Sequence, residues 1–176
     1  MQRGAKFSKD RSRRFVLWRI WNKTKPMMMW VMMNPSIAGE TVDDHTIRKC
    51  IGFAKRWGFG GFFVVNRFAL VSTKPEFLLS YALNETCELL LHDADNMYWI
   101  RHTVKRCEYA ICAWGCESVS LRLQRQFGVQ PDTIPNYIKF LKPSMKIECL
   151  GISPKGTPYH PVMLAYDLPR IPFPGV

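Results

Sequence analysis

The sequence has no long apolar run. Hydrophobic residues make up 47% of its 176 residues, but no stretch approaches the roughly 18 consecutive apolar residues of a membrane-spanning helix. The first residues, MQRGAKFSKDRSRR, are polar and basic and lack the apolar segment of a secretory signal peptide. We therefore expect a cytoplasmic protein that has no membrane partner.

Cysteine pairs and metal-ligand spacings are also missing. The cysteines form no Cys-x-x-Cys pair, which argues against a zinc site and a disulfide framework; they are Cys50, Cys87, Cys107, Cys112, Cys116 and Cys149. His45, His92 and His102 fall within helical patterns and lack ligand spacing. Cys112 and Cys116 have no recognisable histidine base, which disfavours a thiol nucleophile. We expect reduced, mostly buried thiols and no metal or cofactor.

Acidic residues are few relative to basic ones. Asp and Glu number 14 against 25 Lys and Arg, which gives a formal charge of +11 and a pI near 9.6. A polyanion partner, a nucleic acid or a nucleotide, accounts for such a surplus, although the charge does not name the polyanion and solvated helix faces would produce the same count. Many of the cations lie between Arg3 and Arg19, and residues 1–13 have the composition of a flexible basic arm. Residues 14–176 are then expected to form a single domain with its own core, and we favour a monomer.

Short apolar runs that end on polar residues are abundant. Met27–Met33 is apolar throughout and stops at Asn34-Pro35-Ser36, which is the pattern of a strand buried on both faces. Three other runs predict further strands of the same kind: Gly61–Val65, Tyr109–Trp114 and Lys146–Ile152. Residues 14–21, RFVLWRIW, and the turn residues 22–26 that follow them predict an antiparallel hairpin with the central strand Met27–Met33.

Helical periodicity fills the segments between these strands. Apolar residues recur at helical spacing from Ile47 to Ala54, after Asp43 and Asp44, either of which can cap the helix. Further helices are expected over residues 73–106 with a break around Asn84, over residues 119–127 and within residues 130–140. The alternation predicts a three-layer α/β/α fold with a parallel four-stranded central sheet and an N-terminal antiparallel strand.

Polar residues at the strand ends are the candidates for chemistry. In open α/β sheets, ligands bind beyond the carboxyl ends of the central strands, which is where Asn34, Asn66, Trp114 and His160 are expected. Each has a structural alternative: a turn or cap for the asparagines, core packing for Trp114 and a surface turn for His160. Asp44 could act as a general base or simply cap the following helix.

Four motifs together resemble a known family. The segments NPSIAGETVDDHTIRKCIGFAKRWG, VVNRFAL, AWG and GTPYHP span most of residues 30–162. On these motifs the chain is identified as a member of a bacterial and phage domain family of unknown function, number 1643. The order of the motifs is similar to that of the uracil-DNA glycosylase superfamily. This similarity implies a uracil-DNA glycosylase-like fold and a role in DNA modification or repair through base flipping, in a bacterial or phage-infected cell.

The resemblance implies roles for individual residues. Asn34, in an Asn-Pro motif, resembles the residue that positions the attacking water, and Asn66 resembles the residue that reads the base edge. His160 resembles the residue that hydrogen-bonds the departing base, and Leu164 falls where a leucine penetrates the duplex. In two places the chain departs from the superfamily: no aromatic follows the Asn-Pro motif, and Val-Met replaces the usual Ser-Pro after His-Pro.

These residue types suit cleavage of an N-glycosidic bond, which passes through a cationic sugar and an anionic base. The expected site comprises catalytic Asn34, Asp44 and His160, base-binding Asn66, Trp114 and Ser36, and DNA-contacting Arg11, Arg13, Arg14, Lys155 and Leu164. We expect a DNA glycosylase acting on a flipped, modified or damaged base. The alternatives are a non-catalytic DNA- or protein-binding factor in phage–host conflict and a hydrolase of free nucleotides. The basic arm favours a polymer over a free nucleotide, because extended phosphate contacts supply non-specific affinity.

Overall fold

The computed structural model describes residues 1–74, 76–84, 93–115, 117–128, 130 and 132–174. Within these residues the chain forms a mixed α/β structure with a seven-stranded sheet and five α-helices. The strands are β1 (Gln2–Phe7), β2 (Arg14–Ile20), β3 (Met27–Met32), β4 (Gly61–Asn66), β5 (Tyr109–Cys112), β6 (Lys146–Cys149) and β7 (Ile171–Pro172). The helices are α1 (His45–Arg56), α2 (Phe77–Asn84), α3 (Ala94–Val104), α4 (Glu117–Phe127) and α5 (Thr133–Leu141), with a 3-10 turn over Pro161–Met163.

The sheet has the order β1-β2-β4-β3-β5-β6-β7. Strands β3, β4, β5 and β6 run parallel, with β3 between β4 and β5, which confirms the four predicted strands and the interior position of the first. The sheet is larger than predicted, because β1 and β7 add antiparallel strands at its two sides. The predicted N-terminal antiparallel strand is β2, but it pairs with β4, so the predicted hairpin between it and β3 does not form. Since β2 is antiparallel to these four strands, its first residue lies at the end of the sheet where the parallel strands have their carboxyl ends.

The first strand replaces part of the flexible arm that composition suggests for residues 1–13. Gln2–Phe7 pairs with β2 along its whole length, from Gln2 opposite Ile20 to Phe7 opposite Arg14. Gly4 allows this pairing, because a Cβ at that position would overlap the ring of Trp18. A basic composition therefore does not keep this segment out of the sheet.

Alternating residues of β3 reach two separate apolar clusters. Met28, Trp30 and Met32 belong to a cluster that includes the buried face of α1, whereas Met29 and Val31 belong to a cluster that includes residues of α3, α4 and α5. This alternation is the two-residue period of a strand covered on both faces. Within the described residues, no helix is long and apolar enough to cross a membrane.

The long helical region predicted over residues 73–106 is represented by α2 and α3. The segment between them, residues 85–92, lies outside the described residues, so the predicted break around Asn84 is not followed beyond the end of α2. His92, Cys87 and Cys116 also lie outside the described residues. Helices over 119–127 and within 130–140 are confirmed as α4 and α5.

Arg19 of β2 anchors the segment that connects β3 to α1, residues 33–44, which we call the β3–α1 loop. Its side chain is fully buried. Its guanidinium donates to five acceptors: Asp43 Oδ1 at 2.6 Å and the carbonyl oxygens of Gly4, Trp18, Gly39 and Val42. A guanidinium has five N–H groups, so this buried cation is fully satisfied.

Three further arginines hold the same loop. Arg14 donates to Ala38 O at 2.7 Å, Arg3 donates to Thr41 O at 2.9 Å, and Arg11 forms two 3.0 Å bonds to the Glu40 carboxylate. Together with Arg19, they contact every residue from 38 to 43. The N-terminal cations therefore have an internal role that their composition does not reveal.

We expect Asp43→Ala to destabilise the protein by about 3–5 kcal/mol, because it leaves the buried Arg19 charge without its carboxylate. Glu40→Ala is the matched control, since it removes a carboxylate from the same loop whose side chain is 45% exposed, against 11% for Asp43. We expect little change for the control. Urea unfolding measures both, and equal free energies of unfolding for the two variants would contradict the role given to Arg19.

Candidate functional site

A pocket of about 250 Å³ lies at the edge of the sheet where the parallel strands end. It brings together six of the residues predicted from sequence, together with apolar and hydroxyl side chains. Its lining consists of Arg14, Met32, Met33, Asn34, Ser36, Asp44, Thr46, Ile47, Ser72, Thr73, Trp114 and His160. Asn34 and Trp114 follow β3 and β5, Asp44 precedes α1, and His160 lies in the segment after β6.

The amide of Asn34 is held in one orientation. Its Nδ2 donates to Ser72 O at 2.9 Å and to Pro35 O at 3.1 Å, which fixes the nitrogen on the side of the β4–α2 segment. The other end of the amide, Oδ1, accepts no hydrogen bond from the described residues. Because an amide oxygen is an acceptor only, Asn34 offers the pocket a fixed acceptor that suits an O–H group of water.

His160 lies against the end of β5. Gly115 has a φ of +55°, and a Cβ on it would lie 2.7 Å from the Cβ of His160, so a glycine is needed there for both conformation and space. The Gly115 amide also donates to Pro158 O at 3.0 Å. These contacts place the imidazole at the pocket wall.

The tautomer of His160 follows from its hydrogen bond. Nδ1 accepts from the backbone N–H of Val162 at 3.4 Å, so in the neutral ring the proton lies on Nε2. Burial lowers the pKa of His160 below its ordinary value, and the Asp44 carboxylate partly opposes this shift. At neutral pH the ring is therefore a neutral donor through Nε2.

The two neighbouring aspartates have different partners. Asp43 pairs with Arg19 and Arg3, whereas Asp44 caps α1 by accepting from Ile47 N at 2.8 Å through Oδ1. Asp44 Oδ2 accepts no hydrogen bond from the described residues. Asp44 can therefore cap the helix and still offer a carboxylate oxygen to the pocket.

Arg14 is a pocket residue, and not the surface DNA contact expected of it. Only 3% of it is exposed, and burial lowers its pKa to about 10, partly opposed by Asp44. The misassignment has a topological cause: Arg14 begins β2, whose antiparallel direction puts its first residue at the edge where the parallel strands end. Its hydrogen bond to Ala38 then keeps it inside.

Asn66 does not line the pocket. It ends β4 opposite Met32, which does line it, but Asn66 is fully buried and both polar atoms of its amide lack a partner within the described residues. Asn96 donates to the backbone oxygen of Asn66 at 3.1 Å and packs it from the side of α3.

Trp114 forms a wall of the pocket instead of an exposed stacking surface. It is fully buried, the guanidinium of Arg67 lies 4.9 Å from its ring centroid, and Phe173 packs edge-on against it at 5.4 Å. Leu164 is partly buried against the cluster that includes α1. Its neighbour Met163 is 87% exposed.

The other predicted DNA contacts lie outside the pocket. Arg11 pairs with Glu40, and Arg13 Nη1 lies 3.5 Å from Asp93. Lys155 is exposed in the turn that leads to His160. Thus Arg11 and Arg13 each face an acidic side chain of the protein.

The pocket includes three hydroxyl residues beyond those expected: Thr46, Ser72 and Thr73. Thr46 follows the Asp44 cap by two residues, and Ser72 and Thr73 lie after β4, so each follows an element that the sequence did predict.

No group of three His, Cys, Asp or Glu side chains among the described residues could hold a metal ion. Burial raises the pKa of the Cys112 thiol well above its ordinary value.

Comparison with known proteins identifies the family of the chain. A family described as "Protein of unknown function (DUF1643)" matches residues 14–162. That range includes the four parallel strands and every residue of the pocket lining. No curated protein and no solved structure matches the chain. The chain belongs to the DUF1643 family.

Proposed function

We propose that the protein hydrolyses the N-glycosidic bond of a modified or damaged base flipped out of DNA, on a three-layer scaffold of the uracil-DNA glycosylase type. The observation that carries the proposal is the content of one pocket. Asn34 Oδ1 and Asp44 Oδ2 accept no hydrogen bond from the described residues, and the neutral imidazole of His160 can donate through Nε2. A glycosidic bond needs acceptors for the attacking water and a donor for the departing base.

The reaction assigns one task to each of these groups. Water bound to Asn34 Oδ1 forms a bond from its oxygen to C1′ and gives a proton to Asp44. The electron pair of the C1′–N bond leaves with the base, and His160 Nε2–H hydrogen-bonds the base oxygen that gains negative charge. Apolar Met32, Ile47 and Trp114 supply a surface for the flat faces of a base.

Exposed apolar residues flank the pocket in the sequence. Ile37 is 68% exposed and follows the pocket residue Ser36, while Met163 is 87% exposed and follows His160 by three residues. Proteins that distort DNA insert apolar side chains between bases. In this proposal Met163 fills the space left by the flipped base, in place of the partly buried Leu164.

A hydrolase of free nucleotides is the second candidate. It gains support from the N-terminal cations, because Arg14 and Arg19 are buried and Arg11 pairs with Glu40. If these cations lay in an exposed arm, they would favour a polymer as the ligand. DNA binding then depends on other cations, such as Lys74, which follows the pocket residue Thr73, and Lys155, in the turn that leads to His160; both are exposed.

We expect Asn34→Ala to lower turnover by about 100-fold or more, because it removes the acceptor that orients water. Oligonucleotides containing uracil, hydroxymethylated pyrimidines or mismatches are incubated with the protein, and alkali then reveals abasic sites. Asn136→Ala is the control, since Asn136 is an exposed asparagine on α5 that bonds Asp132. Turnover equal to that of the control variant would remove Asn34 from the reaction.

The rate should also rise with pH through the pKa of His160, which burial places below about 6.5. Above that pKa the ring is uncharged, so the rate should not change with pH near pH 7. His160→Gln keeps an amide donor but does not titrate, so it should remove the acidic limb of the pH profile, whereas His102→Gln on α3 should leave it unchanged. An acidic limb that persists in His160→Gln would assign the titration to another group.

Replacing Lys74 and Lys155 by Gln should weaken binding to DNA. The slope of log K against log salt should become shallower by about 0.9 for each phosphate that the variant no longer neutralises. Lys23 and Lys25 are the matched pair, because they are exposed just before β3 and so lie at the opposite edge of the sheet. Equal reductions in affinity for the two pairs would mean that DNA does not approach the pocket.

A further inference from the structure

Two buried arginines on β2 differ in how their charge is satisfied. Arg19 donates to five protein acceptors, one of them a carboxylate. The Arg14 side chain makes a single hydrogen bond to the described residues, from Nη1 to Ala38 O at 2.7 Å. Its Nε is buried without a partner, and its Nη2 donates to no group among the described residues. Arg14 is thus an under-satisfied cation, and it lines the pocket.

Such an arrangement is costly without a ligand. Removing a guanidinium from water is unfavourable unless hydrogen bonds and an opposite charge replace its hydration. The structure offers Arg14 no salt-bridge partner among the described residues, although Asp44 lies close enough to raise its pKa. The Asp44 charge is itself stabilised by the N-terminus of α1, where it caps Ile47 N.

Other donors of the pocket are also unused. The hydroxyls of Ser36, Thr46 and Thr73 line it and hydrogen-bond to no described group, and His160 Nε2 carries a proton. Each hydroxyl can donate as well as accept, whereas Arg14 can only donate and His160 donates through Nε2. A pocket with this many potential donors suits a ligand rich in oxygen acceptors.

We infer that the pocket binds an oxyanion, a phosphate or a carboxylate, against Nη2 of Arg14 with support from the pocket hydroxyls. The inference rests on the proposed function in one respect: the proposed function makes the rest of the ligand a nucleotide. The oxyanion is either a carboxylate carried by the flipped base or a phosphate of the nucleotide, and both present the oxygen pair that a guanidinium recognises.

A buried arginine elsewhere shows that burial alone does not make such a site. Arg67 is also buried and has an unpartnered Nη1, but it donates to Gln130 O at 3.0 Å and stacks over Trp114. Arg67 lines neither the pocket that contains Asn34 and His160 nor three other pockets among the described residues. Among the described residues, Arg14 alone combines an unsatisfied guanidinium with the pocket that contains Asn34 and His160.

Isothermal titration calorimetry with three probes tests the inference: inorganic phosphate, isoorotate, which is uracil carrying a carboxylate, and uracil itself. We expect one or both anions to bind the wild-type protein at least tenfold more tightly than uracil. Arg14→Gln should weaken that binding at least tenfold, and Arg14→Lys should weaken it less because it keeps the charge. Arg125→Gln, which replaces an exposed arginine on α4 outside the pocket, should leave it unchanged. Binding of phosphate alone identifies a nucleotide phosphate as the source, and binding of isoorotate alone identifies the base.

A second measurement needs no variant, in case Arg14→Gln fails to fold. Titration of the wild-type protein with the tighter anion should shift the amide resonances of Ser36, Thr46 and Thr73 in a nitrogen–proton NMR spectrum. The inference is overturned if uracil binds as well as both anions, if Arg14→Gln binds like the wild type, or if these amides do not move. Anion binding without cleavage of any base would instead contradict the proposed function and leave the oxyanion site standing.

Discussion

The position of the β3–α1 loop depends on one buried cation. Arg19 is inaccessible to solvent and directs all of its hydrogen bonds to the protein, three of them to Gly39, Val42 and Asp43 of that loop. Asn34 lies near one end of the loop and Asp44 at the other. Because Arg19 holds the segment between them, it fixes where the amide and the carboxylate stand relative to each other. Arg3, Arg11 and Arg14 add bonds to Thr41, Glu40 and Ala38 of the same loop.

The rest of the pocket follows from the direction of the strands. Parallel β3 and β5 deliver Asn34 and Trp114 to the same edge, and Gly115 makes room for His160 beside them. The antiparallel β2 brings Arg14 to that edge from its other end. Polar groups from five separate segments thus meet in a space of about 250 Å³, and their hydrogen bonds to the backbone fix Asn34, Asp44 and His160 in orientation.

The sequence predicts the parallel core well, because uninterrupted apolar runs such as Met27–Met33 have few structural alternatives. It also predicts that Asn34 and His160 share an edge, since both follow buried strands. It does not predict the fate of Arg14 or the strand over Gln2–Phe7, because both depend on partners distant in the chain, Ala38 for the first and β2 for the second. Asn66 follows the same rule as Asn34, yet its side chain is fully buried and does not line the pocket. A residue's position at the end of a strand predicts which end of the sheet it lies at, but not how deeply its side chain is buried.

Product analysis in heavy-oxygen water tests the central claim most directly. The protein is incubated with oligonucleotides that carry single modified bases, and mass spectrometry follows both the released base and the abasic sugar. Hydrolysis at C1′ predicts a free base without heavy oxygen and one abasic sugar for each base released, since water attacks the sugar and not the base. If no base is released from any substrate, or if the heavy oxygen is found in the base, the pocket does not hydrolyse a glycosidic bond.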